Sequence, residues 1–224
     1  MFAKRSSKAV APQETGTRRK DHSQRAQGVS RSGLPLFTIG HSNHPFERFL
    51  GLLRRHAVEA VADVRSRPYS RFVPHFSKDR LQRLLTENGI GYHYLGAELG
   101  GKPLAGEASA SAIEYRSRVE QPEFQHGIEG LLAVAREHRI TMMCRERDPL
   151  ECHRLHLICR YLGPMALDIR HILPSGELDT QAATEERLVE RAGAPRLPLF
   201  EDAAQPDSPA ALERAYDAWW RRGR

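Results

Sequence analysis

The sequence predicts an α/β fold, a single domain built on a mostly parallel five-stranded sheet with helices on both faces. Two observations lead to this prediction. Short apolar runs of strand length alternate along the chain with longer segments in which apolar residues recur at helical spacing. Turn and capping residues separate the two kinds of segment, and strands that alternate with helices form parallel sheets covered on both faces.

The first half of the domain contains three predicted strands and two predicted helices. The strands cover residues 34–39, 58–64 and 90–95. Asn43 or His44 is the expected cap of the first helix, which continues to about His56, and Ser77 caps the second. Asn88-Gly89 ends that second helix because these residues favour turn conformations.

The second half repeats the alternation. Apolar residues recur at helical spacing over about 110–119 and 122–138, and a fourth strand follows at 139–143. A single helix is predicted from Leu150 to Leu162, before a fifth strand at 167–172. The sequence therefore divides into a disordered basic arm, 1–33, an α/β catalytic domain, 34–175, and a C-terminal helical extension, 176–224.

The positive charge of the chain is concentrated in the arm. Residues 1–33 carry eight basic and two acidic side chains, which accounts for the whole formal net charge of +6. The rest of the chain is formally neutral. The arm is either an inert extension or a segment that adds salt-dependent attraction to phosphates.

Composition also bears on the compartment. No stretch approaches the roughly 18 apolar residues of a membrane span, and the N-terminus lacks the apolar region of a signal peptide. Three cysteines, an odd number, argue against a disulfide framework. We expect a cytoplasmic protein without membrane contact.

Two stretches are dense in chemically active side chains, Asp63–Arg71 and Met142–Arg154. Both follow predicted strands, and ligands of parallel sheets bind beyond the carboxyl ends of strands. We therefore expect the two stretches to face the same cleft. Within them, Asp63 and Glu146 are each flanked by arginine, which keeps a carboxylate ionised. Each is either a catalytic group or half of a structural salt bridge.

Cys144 raises a different hypothesis. A cysteine between a strand and a helix is where a nucleophilic thiolate lies in rhodanese-like and phosphatase-like folds. The following loop carries carboxylates, whereas an anion-binding loop needs glycines and free amides. Metal binding is not predicted, because the spacing of Cys144, Cys152 and His153 matches no paired metal motif and adjacent residues diverge on a helix. No cofactor is predicted either.

Six short motifs occur in the same order as in a known family. They are Thr38-Ile39-Gly40-His41-Ser42, Asp63-Val64-Arg65-Ser66-Arg67-Pro68-Tyr69-Ser70-Arg71, Phe76-Ser77-Lys78, Leu99-Gly100-Gly101, Cys144-Arg145-Glu146 and Cys152-His153-Arg154. Together they resemble domain of unknown function family 488, over about residues 35–175. Some members of that family look like DNA glycosylases that excise oxidised adenine. The resemblance implies the same activity here, with double-stranded DNA containing a damaged base, such as 2-hydroxyadenine, as the partner.

A glycosylase needs a carboxylate for the oxocarbenium-like transition state and groups that grip a flipped base. Asp63 and Glu146 are the catalytic candidates. The substrate-binding candidates are His41, Ser42, Arg65, Arg67, Tyr69, Ser70, Arg71, Lys78, Cys144, Arg145, His153 and Arg154. Tyr92, Tyr94, Phe72 and Phe76 are further candidates for stacking, although aromatic residues more often belong to a core.

Lys78 and Lys102 are the only lysines outside the arm, so hydrolysis by water is favoured over a lysine Schiff base. The alternatives are a thiol transferase that uses Cys144 and a nucleic-acid-binding module without catalysis.

Overall fold

The computed structural model describes residue 33 and residues 35–101, 115–193 and 208–221. The predicted basic arm lies outside the described residues except for Gly33, and Lys102 lies outside them as well. The helix predicted over 110–119 is described only as α4, from Tyr115 to Val119.

The sheet has six strands in the spatial order β3-β2-β4-β1-β5-β6. Their bounds are β1 Leu36–Gly40, β2 Ala60–Asp63, β3 Gly91–Tyr94, β4 Ile140–Cys144, β5 Ile169–Ile172 and β6 Leu178–Thr180. The first five pair in parallel, and β6 pairs antiparallel with β5. The α/β class and the mostly parallel sheet are confirmed. The strand count of five was one too low because it missed β6.

The other helices are α1 Phe46–Arg55, α2 Lys78–Glu87, α3 Gly96–Leu99, α5 Pro122–Glu137, α6 Arg160–Leu162, α7 Gln181–Ala192 and α8 Pro209–Arg221. An apolar core lies on each face of the sheet, between the strands and the helices. One core packs α1 and α2 against strand residues such as Val61 and Met143. The other joins α5, α7 and α8 to their strand neighbours Ala62 and Met142. Successive strand residues point to opposite faces, so the sheet is covered on both.

The helix predicted from Leu150 to Leu162 is interrupted. A 3₁₀ turn at Pro149–Glu151 ends at Cys152, which is extended (φ −129°, ψ 138°). A π-helical stretch, Arg154–Cys159, then leads into α6. The Asp148 carboxylate accepts the Leu150 N–H at 2.9 Å and holds the turn. This break redirects the side chains at 152 and 153, with consequences for the site.

Helix caps differ from the predictions at one position. Pro45, rather than Asn43 or His44, occupies the N-cap position of α1, and a proline there offers no side-chain acceptor. Ser77 lies at the N-cap of α2 as predicted, but its hydroxyl accepts no capping hydrogen bond from an N–H of the helix.

The C-terminal segment is integrated with the rest of Arg31–Arg224, which forms one unit. β6 extends the sheet beside β5, and Leu188 of α7 and Tyr216 of α8 belong to the core that packs against α5. The predicted boundary after residue 175 therefore does not coincide with a structural division. No helix in the described ranges combines the length and apolarity needed to cross a membrane.

Candidate active site

The strand register brings three carboxyl ends to the same level. Gly40 of β1 pairs with Cys144 of β4, and Asp63 of β2 pairs with Met143 of the same strand. β4 lies between β1 and β2, so the segments that leave these strands are neighbours. The edge of the sheet predicted for ligand binding is therefore where both residue-dense stretches lie.

Main-chain hydrogen bonds join these segments directly. The His41 N–H donates to the Cys144 carbonyl and the Ser42 N–H donates to the Arg145 carbonyl, both at 2.9 Å. Ser42 takes a positive φ of 47° at this turn. Its half-buried hydroxyl donates weakly to Asn43, at 3.4 Å.

Asp63 is fully buried and fully paired. Its Oδ1 accepts from Arg65 Nε at 2.8 Å and from the Arg65 main-chain N–H at 3.1 Å. Its Oδ2 accepts from Arg65 Nη2 at 2.6 Å and from the Tyr92 hydroxyl at 2.7 Å. Each of its oxygens accepts two hydrogen bonds, so this carboxylate has no position left for a water or a substrate. Its role is to hold Arg65 and Tyr92 in place.

Arg65 connects Asp63 to His41 by hydrogen bonds. Its Nη2 also donates to the Phe76 carbonyl, and its Nη1 lies 3.0 Å from His41 Nε2. A guanidinium only donates, so His41 Nε2 accepts, and the ring proton sits on Nδ1, 2.8 Å from the Ser42 carbonyl. Burial and the adjacent Arg65 charge lower the pKa of His41 to about 3, which keeps the imidazole neutral.

Glu146 is the carboxylate that reaches solvent, with 27% of its side chain exposed. Its Oε2 accepts from the Cys144 thiol at 2.8 Å and from the Cys152 thiol at 3.3 Å. Arg145, itself mostly exposed, lies 3.5 Å from Oε1. Burial would raise the pKa of Glu146, but the Cys144 hydrogen bond and the other donors outweigh it and lower the pKa to about 2.

Cys144 and His153 are buried beside the partly exposed Glu146. His153 Nε2 donates to the Val64 carbonyl at 2.9 Å, and its Nδ1 lies 3.6 Å from Cys144 Sγ. Burial, followed by the neighbouring Cys152 thiol, raises the pKa of Cys144 well above its usual value. A buried thiol of high pKa beside a carboxylate does not favour the nucleophilic thiolate considered for this position.

Arg154 holds the site together instead of facing a substrate. It is almost fully buried, and its Nη1 donates to the carbonyls of Ile39 and Glu146 at 3.2 and 2.8 Å. Gly40 makes this approach possible, because a Cβ there would lie 1.9 Å from the Glu146 carbonyl oxygen. Arg154 therefore fixes the loop that carries Glu146 against the end of β1.

The segment between β2 and α2 supplies exposed side chains. Arg67 and Arg71 are exposed, as are Tyr69 (73%) and Phe72 (92%). Ser70 has a local role, since its hydroxyl accepts the Val73 N–H at 3.2 Å. Arginines and aromatic rings together on an exposed loop suit contacts with phosphates and bases.

Two further candidates, Phe76 and Lys78, lie at the end of this segment and the start of α2, and they differ in their burial. The Lys78 ammonium lies 4.1 Å from the centre of the Tyr94 ring, a cation–π contact. Phe76, a stacking candidate from the sequence, is fully buried, and its ring stacks on His41 at 4.1 Å. Phe76 is therefore not available to stack on a DNA base, and that prediction is wrong.

The structure thus sorts the predicted residues into two groups. Those brought together at the strand ends are His41, Ser42, Asp63, Arg65, Cys144, Arg145, Glu146, His153 and Arg154. Those carried on the adjoining exposed segment or the start of α2 are Arg67, Tyr69, Ser70, Arg71 and Lys78.

Cys152 was absent from the predicted site. The expectation that Cys152 and His153 diverge on a helix is wrong, because Cys152 is extended and no helix runs through the pair. Among the described residues, Cys144, Glu146, Cys152 and His153 offer ligand atoms that all lie within 4.8 Å of one another. The Cys-His-Arg motif is the sequence feature that points to Cys152. Its spacing does not show that the Cys152 and His153 side chains lie next to Cys144 and Glu146.

A separate cavity of about 490 Å³ lies near the amino end of β5, between α6, α7 and α8. It contains none of the predicted site residues. Its cation, Arg160, already pairs with Glu213 and Asp217.

A family model described as "Domain of unknown function DUF488" matches residues 45–161, just over half of the chain. The match agrees with the family that the sequence motifs resemble. Neither a curated protein nor a solved structure shows a significant match to the chain.

Proposed function

The chain belongs to the DUF488 family, and on that premise we propose that it is a DNA glycosylase, which hydrolyses the N-glycosidic bond of a damaged base. The family description assigns no reaction, so the proposal depends on the chemistry of the site. Its main support is Glu146, an ionised and partly exposed carboxylate at the edge of the sheet. A glycosylase requires such a group.

Hydrolysis breaks the bond between C1′ of the sugar and the base nitrogen. The bonding electrons leave with the base, positive charge develops on the sugar, and a water oxygen bonds to C1′. A nearby carboxylate stabilises that charge and orients the water. Glu146 has the charge and the access to do this, and the water proton passes to solvent while the departing base takes up a proton.

Asp63 has a positioning role in this proposal. Its four hydrogen bonds hold Arg65 and Tyr92, and Arg65 in turn holds His41 as a neutral imidazole. The two carboxylates predicted as a catalytic pair therefore divide the work. Glu146 faces the reacting sugar, and Asp63 maintains the floor of the site.

The exposed segment between β2 and α2 is the proposed DNA-contacting surface. A glycosylase extrudes its target base from the duplex and fills or grips the gap with side chains. Phe72 and Tyr69 are the exposed rings available for that contact, and Arg67 and Arg71 provide charge for phosphates. Arg145, exposed beside Glu146, is a further contact.

The proposed substrate is double-stranded DNA with a single damaged base. The family resemblance favours an oxidised adenine such as 2-hydroxyadenine. The proposed reaction is monofunctional, because the ammonium of Lys78, the lysine in the described part of the chain, is engaged with the Tyr94 ring at 4.1 Å.

The test is incubation of the full chain with duplexes that each contain one oxidised, deaminated or alkylated base, followed by alkaline cleavage. We expect strand scission at one class of damaged base. Glu146→Gln should lower the rate by at least about a hundredfold, the order of magnitude of one electrostatic catalytic group. Glu129→Gln, on the exposed side of α5, is the matched control and should leave the rate unchanged.

Absence of scission on every duplex would refute the proposal. The thiol-transferase alternative predicts turnover of thiosulfate or of an aryl phosphate, with loss of that turnover in Cys144→Ser. The non-catalytic alternative predicts DNA binding that requires residues 1–33 and survives Asp63→Asn.

A further inference from the structure

We propose that Cys144, Cys152, His153 and Glu146 bind a divalent metal ion, and that Zn²⁺ is the ion that their chemistry fits. The metal site shares Glu146 with the proposed glycosylase centre, but the positions of the four donor atoms that carry the inference do not depend on that activity. Three of its residues are buried, and each of the four offers one donor atom within 4.8 Å of the other three.

The distances between the donor atoms match a tetrahedral centre. His153 Nδ1 lies 3.6 Å from Cys144 Sγ and 3.9 Å from Cys152 Sγ. Zinc bonds of about 2.3 Å to sulfur and about 2.0 Å to nitrogen place tetrahedral ligands roughly 3.5 Å apart. Both sulfur-to-nitrogen distances are therefore close to the spacing that zinc requires, and the two sulfur atoms lie within 4.8 Å of each other.

Glu146 Oε2 approaches more closely, at 2.8 Å from Cys144 Sγ and 3.3 Å from Cys152 Sγ. These distances are those of thiol hydrogen bonds. A bound metal would replace the two thiol protons, which pass to solvent, and the carboxylate would move outward by less than about 1 Å to become the fourth ligand.

The backbone explains how neighbouring residues serve one ion. Cys152 is extended, with φ −129° and ψ 138°, while His153 is in the helical region, with φ −58° and ψ −22°. The turn at Pro149–Glu151 ends at the first residue and the π-helical stretch begins after the second. Both side chains consequently point back toward Cys144 at the end of β4.

The surroundings of the ligands are those of a metal site. Metal-binding histidines donate their second ring N–H to a carbonyl or carboxylate, which fixes the ring and leaves the other nitrogen free to bind. His153 does this with the Val64 carbonyl at 2.9 Å. The Arg154 main-chain N–H lies 3.5 Å from Cys152 Sγ, where it would stabilise a thiolate. Gly101 packs on the His153 ring, since a Cβ there would lie 2.7 Å from it.

The donor set selects the metal. Two sulfurs and an imidazole suit zinc, whereas magnesium and calcium prefer oxygen ligands. Glu146 is the partly exposed ligand of the four, so it is the one that a water or substrate atom can displace. An ion bound here would have one exchangeable position facing the edge of the sheet.

The test uses the full chain, purified without added metal and then dialysed against a chelator. We measure bound metal by mass spectrometry after adding Zn²⁺, and we record the absorption spectrum after adding Co²⁺. We expect about one zinc per chain and a sulfur-to-cobalt charge-transfer band that disappears when Zn²⁺ is added. These readouts require no DNA, so their outcome is separate from the glycosylase assay.

Variants assign the ligands. The double variant Cys144→Ala, Cys152→Ala should bind less than roughly a tenth of the metal that the unaltered chain binds at the same concentration. Cys159→Ala is the matched control, because Cys159 is a buried free cysteine outside the cluster, and it should bind metal normally.

A chain that binds no zinc, or a cobalt complex without the charge-transfer band, would show that the cluster is only a hydrogen-bonded group of thiols. Equal binding by the double variant and the unaltered chain would also overturn the proposal. The cobalt spectrum of the unaltered chain decides the question even if the double variant does not fold.

Discussion

At the scale of single residues, Asp63 and Arg65 form a buried ion pair whose hydrogen bonds are all made inside the protein. Removing one partner of such a pair leaves the other charge without compensation in a medium that solvates it poorly. The pair therefore matters for the stability of the sheet edge as well as for the shape of the site.

We expect Asp63→Asn to lower the free energy of unfolding by about 3–5 kcal/mol, since Arg65 would keep its charge without a counterion. The asparagine amide would also face the donors of Arg65 and Tyr92. Urea denaturation followed by circular dichroism measures the effect. Asp79→Asn, exposed in the first turn of α2, is the control and should change stability by at most about 1 kcal/mol. Equal effects of the two substitutions would contradict the assigned role of Asp63.

His171 gives a prediction about pH. It is buried in β5 between Thr38 and Gln181, and burial, followed by the Arg154 charge, lowers its pKa from 6.5 to about 4. Below pH 6.5 the unfolded chain binds a proton that the folded chain does not, so stability falls as the pH drops from 6.5 towards 4. The contribution of this residue to that fall is about 3 kcal/mol at most.

Replacing His171 with glutamine removes this titration. We expect His171→Gln to be less stable at pH 7 but to lose less stability than the unaltered chain between pH 6.5 and pH 4. Urea midpoints at several pH values measure the slopes. Parallel slopes in the two proteins would show that His171 does not titrate in this window.

At the scale of elements, the short helix α3 packs closely against the end of β2. A Cβ on Gly96 would lie 2.0 Å from the Arg65 carbonyl oxygen, whereas a Cβ on Gly51 of α1 would meet nothing within 4 Å. The two glycines therefore predict opposite results for the same substitution.

We expect Gly96→Ala to lower the free energy of unfolding by about 1–3 kcal/mol, because backbone has to shift to admit the methyl group. Gly51→Ala should raise it by roughly 0.5–1 kcal/mol, because alanine loses less backbone entropy in a helix. Chemical denaturation of both variants provides the comparison. A stabilising Gly96→Ala would mean that α3 does not pack on β2 as closely as described.

The exposed segment between β2 and α2 carries the proposed DNA contact. Phe72→Ser should weaken DNA binding by about 1–3 kcal/mol, the contribution of one ring that stacks on a base, with little loss of stability because the ring is 92% exposed. Met165→Ser is the control, since Met165 is exposed before the amino end of β5, whereas the loop follows the carboxyl end of the parallel strand β2. Equal DNA affinities of the two variants, measured by fluorescence anisotropy, would argue against the loop as the contact surface.

At the scale of the whole molecule, the net positive charge is concentrated in one segment of the sequence. Residues 1–33 carry the entire net charge of +6, and the rest of the chain is formally neutral. We expect deletion of residues 1–33 to weaken DNA binding and to reduce its dependence on salt, because fewer counterions are released from the phosphates. The rate at saturating DNA should be unchanged. Binding titrations at several salt concentrations test this, and an unaltered salt slope would identify the arm as inert.

Much of the fold could be predicted because its signals are local. Residues such as Phe49 and Leu53 of α1, and the apolar run of β4, show in sequence which side chains must be buried. The three-residue strand β6 has no such signal. It is a strand because Leu178–Thr180 pairs with β5, and pairing partners are distant contacts that no short pattern encodes.

The sequence by itself determined the fold class, the edge of the sheet where the candidate site residues lie, and the placement of the net charge, because periodicity, strand ends and composition are properties of the chain alone. Only the tertiary structure decided which carboxylate reaches solvent. Asp63 is saturated by Arg65 and Tyr92, while Glu146 reaches solvent. The tertiary structure also placed the side chains of Cys152 and His153 next to Cys144. The backbone angles at Cys152 that allow this depend on the turn before it and the packing around it. Burial and convergence arise from residues far apart in sequence, so they exist only once the chain has folded.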